Sequence, residues 1–138
     1  MSRINRRIRR RGTVPYSRRC QRLTTRQLKQ IYFKGDEIPT YAHCIYCGKY
    51  SYYHIDHKIA IALGGSNSRR NLVIACRTCN LSKGYKKVCK WLRRLQNSMK
   101  RNDKILYNKI IEHNKNKRTT LAISIRRIRD SLPRRRRC

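Results

Sequence analysis

Four cysteines occur as two pairs of identical spacing, a pattern typical of metal ligands. Two residues separate the cysteines within each pair, and 28 residues separate the pairs. The x2 spacing lets both thiolates of a pair reach one tetrahedral zinc ion, at about 2.3 Å from sulfur to metal. The sequence therefore predicts a structural Zn²⁺ site with four ligands: Cys44, Cys47, Cys76 and Cys79.

A second group of polar side chains lies between and beside these pairs: Asp56, His57, Asn71 and Asn80. Carboxylate and amide oxygens are ligands for hard cations such as Mg²⁺ or Mn²⁺. A neutral imidazole near pH 7 is suited to accept a proton as a general base. The group therefore predicts a catalytic cation site, with a general base beside it, next to the structural zinc site.

Several motifs follow one another in order along this part of the chain: Asp56-His57, Gly64-Gly65, Asn71-Leu72 and Cys76-x2-Cys79-Asn80-x2-Lys83-Gly84. Over about residues 42–85, the chain resembles the HNH nuclease family in its zinc-stapled form. The resemblance implies a ββα-metal fold, in which two strands, a loop and a helix grip one divalent cation. The expected fold class is α+β, with this small core stapled by zinc, a helical C-terminal extension and basic arms.

The resemblance also implies a role for each polar residue. His57 would be the general base that activates a water, and Asp56 would hold Mg²⁺ or Mn²⁺ against the scissile phosphate. Asn71 matches the central Asn, which braces the loop and orients the base. Asn80 takes the place of the family's last His, and its carbonyl oxygen suits a hard cation. One cation and one base cut one strand, so the implied activity is nicking.

The rest of the composition is dominated by positive charge. Lysine and arginine number 37 against six acidic residues, which gives a formal net charge of +31. Such a chain repels itself and needs a polyanion to neutralise it. We therefore expect a nucleic acid as partner, neither a small-molecule substrate nor a membrane. The candidate phosphate contacts are Arg6, Arg7, Arg9, Arg10, Arg11, Arg69, Arg70, Arg77, Lys83, Lys86, Arg134, Arg135, Arg136 and Arg137.

Two further sets of residues each allow two interpretations. His54 lies two positions before Asp56. It could be an extra ligand or phosphate contact, or a strand residue packed beside the first cysteine pair. The packing interpretation is favoured for His54. Five tyrosines could stack on bases, with packing inside the protein as the alternative: Tyr16, Tyr32, Tyr50, Tyr52 and Tyr53.

The other cysteines bear on the compartment. Cys20, Cys89 and Cys138 fall outside the two pairs. Free thiols fit a reducing compartment, and the arginine-rich start lacks the apolar segment of a secretory signal. We therefore expect an intracellular protein that is not secreted. An arginine-rich, acid-free start also allows a mitochondrion or a plastid.

Hydrophobic periodicity predicts the elements around the motif. Thr24 or Thr25 would cap a short helix. Two short strands within residues 42–60 would surround the first cysteine pair, and a strand at 71–75 would lead into the second. A helix would begin near Thr78, and three more would span about 86–99, 102–115 and 119–131. The predicted organisation is a basic arm at 1–22, a helix and loop at 23–41, the HNH and zinc domain at 42–85, a basic helical extension at 86–131 and a basic tail at 132–138.

Two functions are compatible with these features. The first is a free-standing, Mg²⁺-dependent HNH endonuclease acting on DNA. The second is a structural RNA-binding protein, for example of an organellar ribosome, that uses an HNH-like fold. The complete set of motif residues favours the nuclease. The charge of +31 on 138 residues exceeds what a nuclease needs, and it favours the RNA-binding alternative.

Overall fold

The computed structural model describes residues 14–15 and 18–130. Within this range nine helices and strands follow one another, joined by two short 3₁₀ turns at Ile61–Leu63 and Arg69–Asn71. The elements are α1 (Thr25–Phe33), β1 (Ala42–His43), β2 (Tyr50–Ser51), β3 (Tyr53–His57), β4 (Leu72–Cys76), α2 (Arg77–Lys83), α3 (Val88–Asn97), α4 (Arg101–Asn114) and α5 (Thr120–Asp130).

Strands β3 and β4 form the centre of the fold. They pair antiparallel, with Tyr53 opposite Cys76 and His57 opposite Leu72. Helix α2 begins directly after Cys76, so strand, strand and helix follow one another as the sequence predicted. Strand β4 is mostly buried along its length because elements cover both faces of the sheet. The α+β class is confirmed.

Helix α1 covers one face of this sheet. The Thr24 side chain accepts a hydrogen bond from the Gln27 backbone N–H, and the Gln27 side chain accepts one from the Thr24 N–H, which completes a capping box. This confirms the predicted cap and selects Thr24. Leu28 then packs against the buried strand residues Tyr53 and Ile55. The helix therefore fixes the chain that precedes it close to β3.

Helices α3, α4 and α5 pack on one another and on the zinc side of the motif. Trp91 is fully buried, and its ring meets Tyr46 edge to face at 5.2 Å between centroids. Asn114 of α4 donates its side-chain amide to the Tyr46 carbonyl at 2.8 Å. The helical extension is therefore part of the hydrophobic core. The predicted helix bounds agree with the structure to within two residues at each end.

Most of the predicted N-terminal arm and all of the predicted tail lie outside the described residues, so their roles stay predictions. Among the described residues, no helix combines the length and the apolar character needed to cross a membrane. Cys20 is free and exposed, whereas Cys89 is disulfide-bonded. The expectation of a free thiol is therefore wrong for Cys89.

Candidate metal centre and catalytic cavity

The four paired cysteines converge on one point. Their sulfur atoms all lie within 4.8 Å of one another, and the Sγ atoms of Cys47 and Cys76 are 3.7 Å apart. Tetrahedral zinc with sulfur at about 2.3 Å requires sulfur atoms roughly 3.8 Å apart. Three of the four cysteines are buried. The site therefore fits a closed, structural Zn²⁺ site as the sequence predicted.

Backbone hydrogen bonds hold the first cysteine pair in place. The Cys44 N–H donates to the Lys49 carbonyl, and the Gly48 N–H donates to the Cys44 carbonyl, both at 2.9 Å. Gly48 has φ of +78°, which a residue with a side chain adopts only with strain. The Ile45 N–H donates to the Ile74 carbonyl at 2.9 Å and ties this turn to β4. The second pair lies where β4 passes into α2, so the same strand positions both halves of the site.

Hydrogen bonds among the thiols shift their pKa values in opposite directions. The hydrogen bond with Cys47 lowers the pKa of Cys44 to about 6. The hydrogen bond with Cys44 likewise lowers the pKa of Cys76. For Cys47 and Cys79, the hydrogen bond with Cys44 is instead the largest cause of a raised pKa. Four adjacent thiolates repel one another, so a divalent cation at their centre is what allows all four to ionise.

His57 lies at the end of β3 and is held by an asparagine that the sequence analysis did not select. Its Nε2 atom is 2.9 Å from Asn67 Oδ1. The Asn67 amide nitrogen donates to the Gln21 carbonyl at 2.7 Å, which orients the amide oxygen towards the imidazole. Nε2 is therefore the donor, and in the neutral ring Nδ1 carries the lone pair that can accept a proton.

Asn71 binds the backbone of the loop and not the His57 ring. Its amide nitrogen donates to the carbonyls of Ile59 at 2.9 Å and Ser66 at 2.8 Å, and its Oδ1 accepts the Ile59 N–H at 2.9 Å. The geometry agrees with a loop brace. The expectation that Asn71 itself orients the base needs correction, because Asn67 contacts the ring.

Replacing Asn71 with alanine removes all three of these hydrogen bonds. We expect Asn71→Ala to lower the free energy of unfolding of the zinc-loaded protein by about 1–3 kcal/mol, because loop carbonyls lose their donor. Urea unfolding followed by circular dichroism measures this change. Asn102→Ala, at an exposed asparagine of α4, is the matched control. Equal losses for the two variants would contradict a bracing role.

Asp56 is buried and already has polar partners. The Tyr46 hydroxyl donates to Asp56 Oδ2 at 2.9 Å, and Lys83 Nζ lies 3.0 Å from Oδ2 and 3.3 Å from Oδ1. Lys83 is fully buried and also donates to the His57 carbonyl at 2.9 Å. The prediction that Lys83 contacts phosphate from the surface is therefore wrong. Its ammonium neutralises a buried carboxylate instead.

A cavity of about 860 Å³ lies where the end of β3 meets α2 and the chain before α1. His54, Asp56, His57 and Asn80 line it, together with residues 19–23. His54 thus lines the cavity, and its favoured packing beside the first cysteine pair stays a prediction. Within the described part of the chain, the Asn80 side chain makes no hydrogen bond. Three of the predicted motif residues therefore share one cavity.

The donor set of this cavity fits a hard cation. A carboxylate offers about four lone-pair positions, of which Tyr46 and Lys83 occupy three on Asp56. One position on Asp56 Oδ1 remains, together with the amide oxygen of Asn80. Mg²⁺ binds one or two protein oxygens and completes its shell with water and phosphate. Lys83 competes with any such cation for the same carboxylate.

The predicted phosphate contacts near the motif occupy different positions. Arg70 and Arg77 are exposed. Arg69 donates to the Tyr32 carbonyl at 2.8 Å, with its guanidinium 5.4 Å from that ring. Lys86 lies over the Tyr85 ring. The other candidates lie outside the described residues: Arg6, Arg7, Arg9, Arg10, Arg11, Arg134, Arg135, Arg136 and Arg137.

Comparison with known proteins agrees with this geometry. Residues 44–86 match the family model described as HNH endonuclease. Searches of curated proteins and of solved structures found no match. The matched segment begins at Cys44 and contains every residue of both proposed metal sites. The segment from residue 44 to residue 86 is therefore an HNH domain, with a cysteine cluster compatible with structural zinc.

Proposed function

We propose that this chain is a metal-dependent endonuclease that nicks DNA. The observation that supports the proposal most directly is the position of His57. The ring lines a cavity shared with Asp56 and Asn80, and Asn67 occupies its Nε2. A base with one nitrogen held and the other carrying a lone pair is suited to take a proton from water.

The proposed reaction is hydrolysis of one phosphodiester bond. His57 Nδ1 accepts a proton from water, the water oxygen bonds to phosphorus, and the bond from phosphorus to the 3′ oxygen breaks. The leaving oxygen takes a proton from solvent. Asp56 and Asn80 would hold a divalent cation, which supplies electrostatic stabilisation to the phosphate and the leaving oxygen. Asn67 keeps the imidazole in the reactive orientation through Nε2.

Basic residues of the segment before α1 are suited to position the substrate. Arg19 and Arg22 line the same cavity as His57. The segment is tied to the site because Gln21 accepts the Asn67 amide hydrogen bond. Guanidinium groups bind phosphate through paired donors. We therefore propose that this segment holds the backbone of the strand to be cut.

Nicking of supercoiled plasmid tests this proposal. Zinc-loaded protein with added Mg²⁺ or Mn²⁺ should convert supercoiled plasmid to open circle. His57→Ala should lower the rate by about 10²–10⁴-fold, the usual contribution of a general base. The variant should retain DNA affinity, because the substitution removes none of the basic side chains proposed to contact phosphate.

His54→Ala is the informative control, because His54 lines the same cavity. Loss of cutting in His54→Ala with normal cutting in His57→Ala would show that His54, and not His57, is the base. Absence of cutting by the wild-type protein with either metal, despite tight binding, would overturn the nuclease proposal.

A structural RNA-binding role is the second candidate function. The net charge of +31 supports it, because polycationic segments fold onto RNA and neutralise its phosphates. In this case the protein would bind structured RNA tightly, with affinity falling steeply with salt, and would cut no substrate. Comparing salt-dependent binding to structured RNA and to duplex DNA separates the two candidates.

A further inference from the structure

The hairpin of β1 and β2 carries exposed aromatic rings that no step of the proposed reaction uses. We call them the hairpin patch: Tyr41, His43, Tyr50 and Tyr52. Ring centroids are 4.5 Å apart between Tyr41 and Tyr52, and 4.8 Å apart between His43 and Tyr50. The exposed fraction is 61% for Tyr50 and 66% for Tyr52. The patch thus presents adjacent rings to solvent.

Pairing between the strands explains only part of this arrangement. His43 lies opposite Tyr50 in the register, and the Tyr41 hydroxyl donates to the Tyr52 hydroxyl at 3.0 Å. Such cross-strand pairs stabilise a hairpin. They nevertheless leave more than half of the surface of Tyr50 and of Tyr52 in contact with solvent. Exposed apolar patches are usually kept small on soluble proteins.

The patch adjoins the strand that leads to the cavity. Only Tyr52 separates β2 from β3, and burial alternates through it: Tyr50 and Tyr52 are exposed, while Tyr53 and Ile55 are buried. His54, two residues after Tyr52, lines the cavity. At about 3.3 Å per residue, Tyr52 lies up to roughly 16 Å from His57. That span is about five nucleotides at the duplex spacing of 3.4 Å.

We propose that the hairpin patch stacks unpaired bases of the nucleic acid strand whose backbone enters the cavity. Aromatic rings combined with positive charge are the features that bind single strands without sequence preference. Lys49 adjoins Tyr50, and no acidic residue occurs between Ile38 and Ile55. The location relative to the scissile bond rests on the proposed nuclease function, whereas stacking itself does not.

Charge favours this occupant over a second copy of the chain. Two chains of formal charge +31 repel each other, whereas a single strand brings both negative charge and the π-faces of its bases. An acidic protein would satisfy the charge but has no particular need for a row of rings. The occupant that fits both the charge and the row of rings is therefore single-stranded nucleic acid.

Binding to two oligonucleotides with equal numbers of phosphates tests the proposal. Fluorescence anisotropy of the zinc-loaded full chain, without added Mg²⁺ or Mn²⁺, would compare an oligothymidine of about 20 nucleotides with an abasic strand of that length. Tyr50→Ala and Tyr52→Ala should each raise Kd for oligothymidine by at least about 5-fold. Neither should change Kd for the abasic strand or the salt dependence, because no charge is lost. Met99→Ala, at a side chain 88% exposed, should change nothing.

Two results would overturn the proposal. The first is an unchanged Kd for oligothymidine, or an equal change for both strands. The second is a loss in Tyr52→Phe as large as in Tyr52→Ala, because phenylalanine keeps the ring and removes only the hydroxyl bond to Tyr41. Since binding is read without cleavage, failure of plasmid nicking leaves this result intact, and the reverse also holds.

Discussion

Cys79→Ala should abolish the cooperative folding of the chain. Cys79 is fully buried, and its sulfur is one of four that converge on the proposed zinc position. Structural zinc supplies apparent binding free energies of about 10–16 kcal/mol in small zinc modules. A domain is stable by only about 5–15 kcal/mol. Loss of one ligand therefore removes a contribution comparable to the whole stability.

Circular dichroism during heating, together with measured zinc content, checks this result. Wild-type protein should melt cooperatively and lose the transition after chelation. Cys20→Ala is the matched control, because Cys20 is a free and exposed cysteine. An unchanged melting midpoint in Cys79→Ala, or after removal of zinc, would show that the four thiols pack as ordinary core residues.

Loss of zinc should unfold more than the segments around the two cysteine pairs, because the zinc site is continuous with the main hydrophobic core. Cys44, Cys76 and Cys79 belong to the same buried cluster as Trp91 and Ile125. Loss of the metal should therefore loosen α3 and α5 along with β4. The C-terminal helices are expected to lose their helical signal in the same transition as the motif.

The zinc site and the helices could be predicted from the sequence because both depend on local spacing. Two residues between paired cysteines suffice to bring two thiolates to one metal ion. A period near 3.6 places Trp91, Leu92 and Leu95 on one helix face, and all three are fully buried. The prediction left open what the helices would contact. Packing against Tyr46 could not be read from the sequence, because Trp91 lies 45 positions further along the chain.

The partner of His57 was missed because it depends on how the loop closes. Asn67 follows a Gly-Gly-Ser segment, and nothing in its spacing relates it to His57. Its contact arises only when Asn71 fixes the loop and Gln21 accepts the Asn67 amide. The loop also requires glycine at position 65, since a Cβ atom there would overlap the Ile59 carbonyl. The sequence predicted that Asn71 braces the loop, but it did not predict that the loop would place Asn67 against His57.

Lys83 was misassigned although a usable signal existed. It lies four residues after Cys79 on α2, and residues four apart share one face of a helix. A zinc ligand faces the core, so a residue on the same face is expected to be buried as well. The overall charge of the chain favoured a phosphate contact. The local helix period was the better guide.

The buried ion pair of Lys83 with Asp56 is expected to contribute strongly to stability. Lys83→Met should lower the free energy of unfolding by about 3–5 kcal/mol, because Asp56 keeps a buried charge without its cation. The side chains of Lys83 and Asp56 are 0% and 8% exposed, so solvent screens the pair only weakly. Chemical unfolding of the zinc-loaded protein measures the loss. Lys90→Met, at an exposed lysine of α3, should change stability by less than about 0.5 kcal/mol.

The double variant Asp56→Asn with Lys83→Met distinguishes an ion pair from simple packing. Removing both charges leaves no buried charge unpaired, so the double variant should be more stable than Lys83→Met alone by about 0.5–3 kcal/mol. The Tyr46 hydroxyl can still donate to the amide oxygen that the Asp56→Asn substitution introduces. A surface phosphate contact predicts the opposite pattern: unchanged stability in Lys83→Met, and a salt dependence of DNA binding that is weaker by about one unit of slope. Those two readouts together decide whether Lys83 serves the fold beside Asp56 or the nucleic acid.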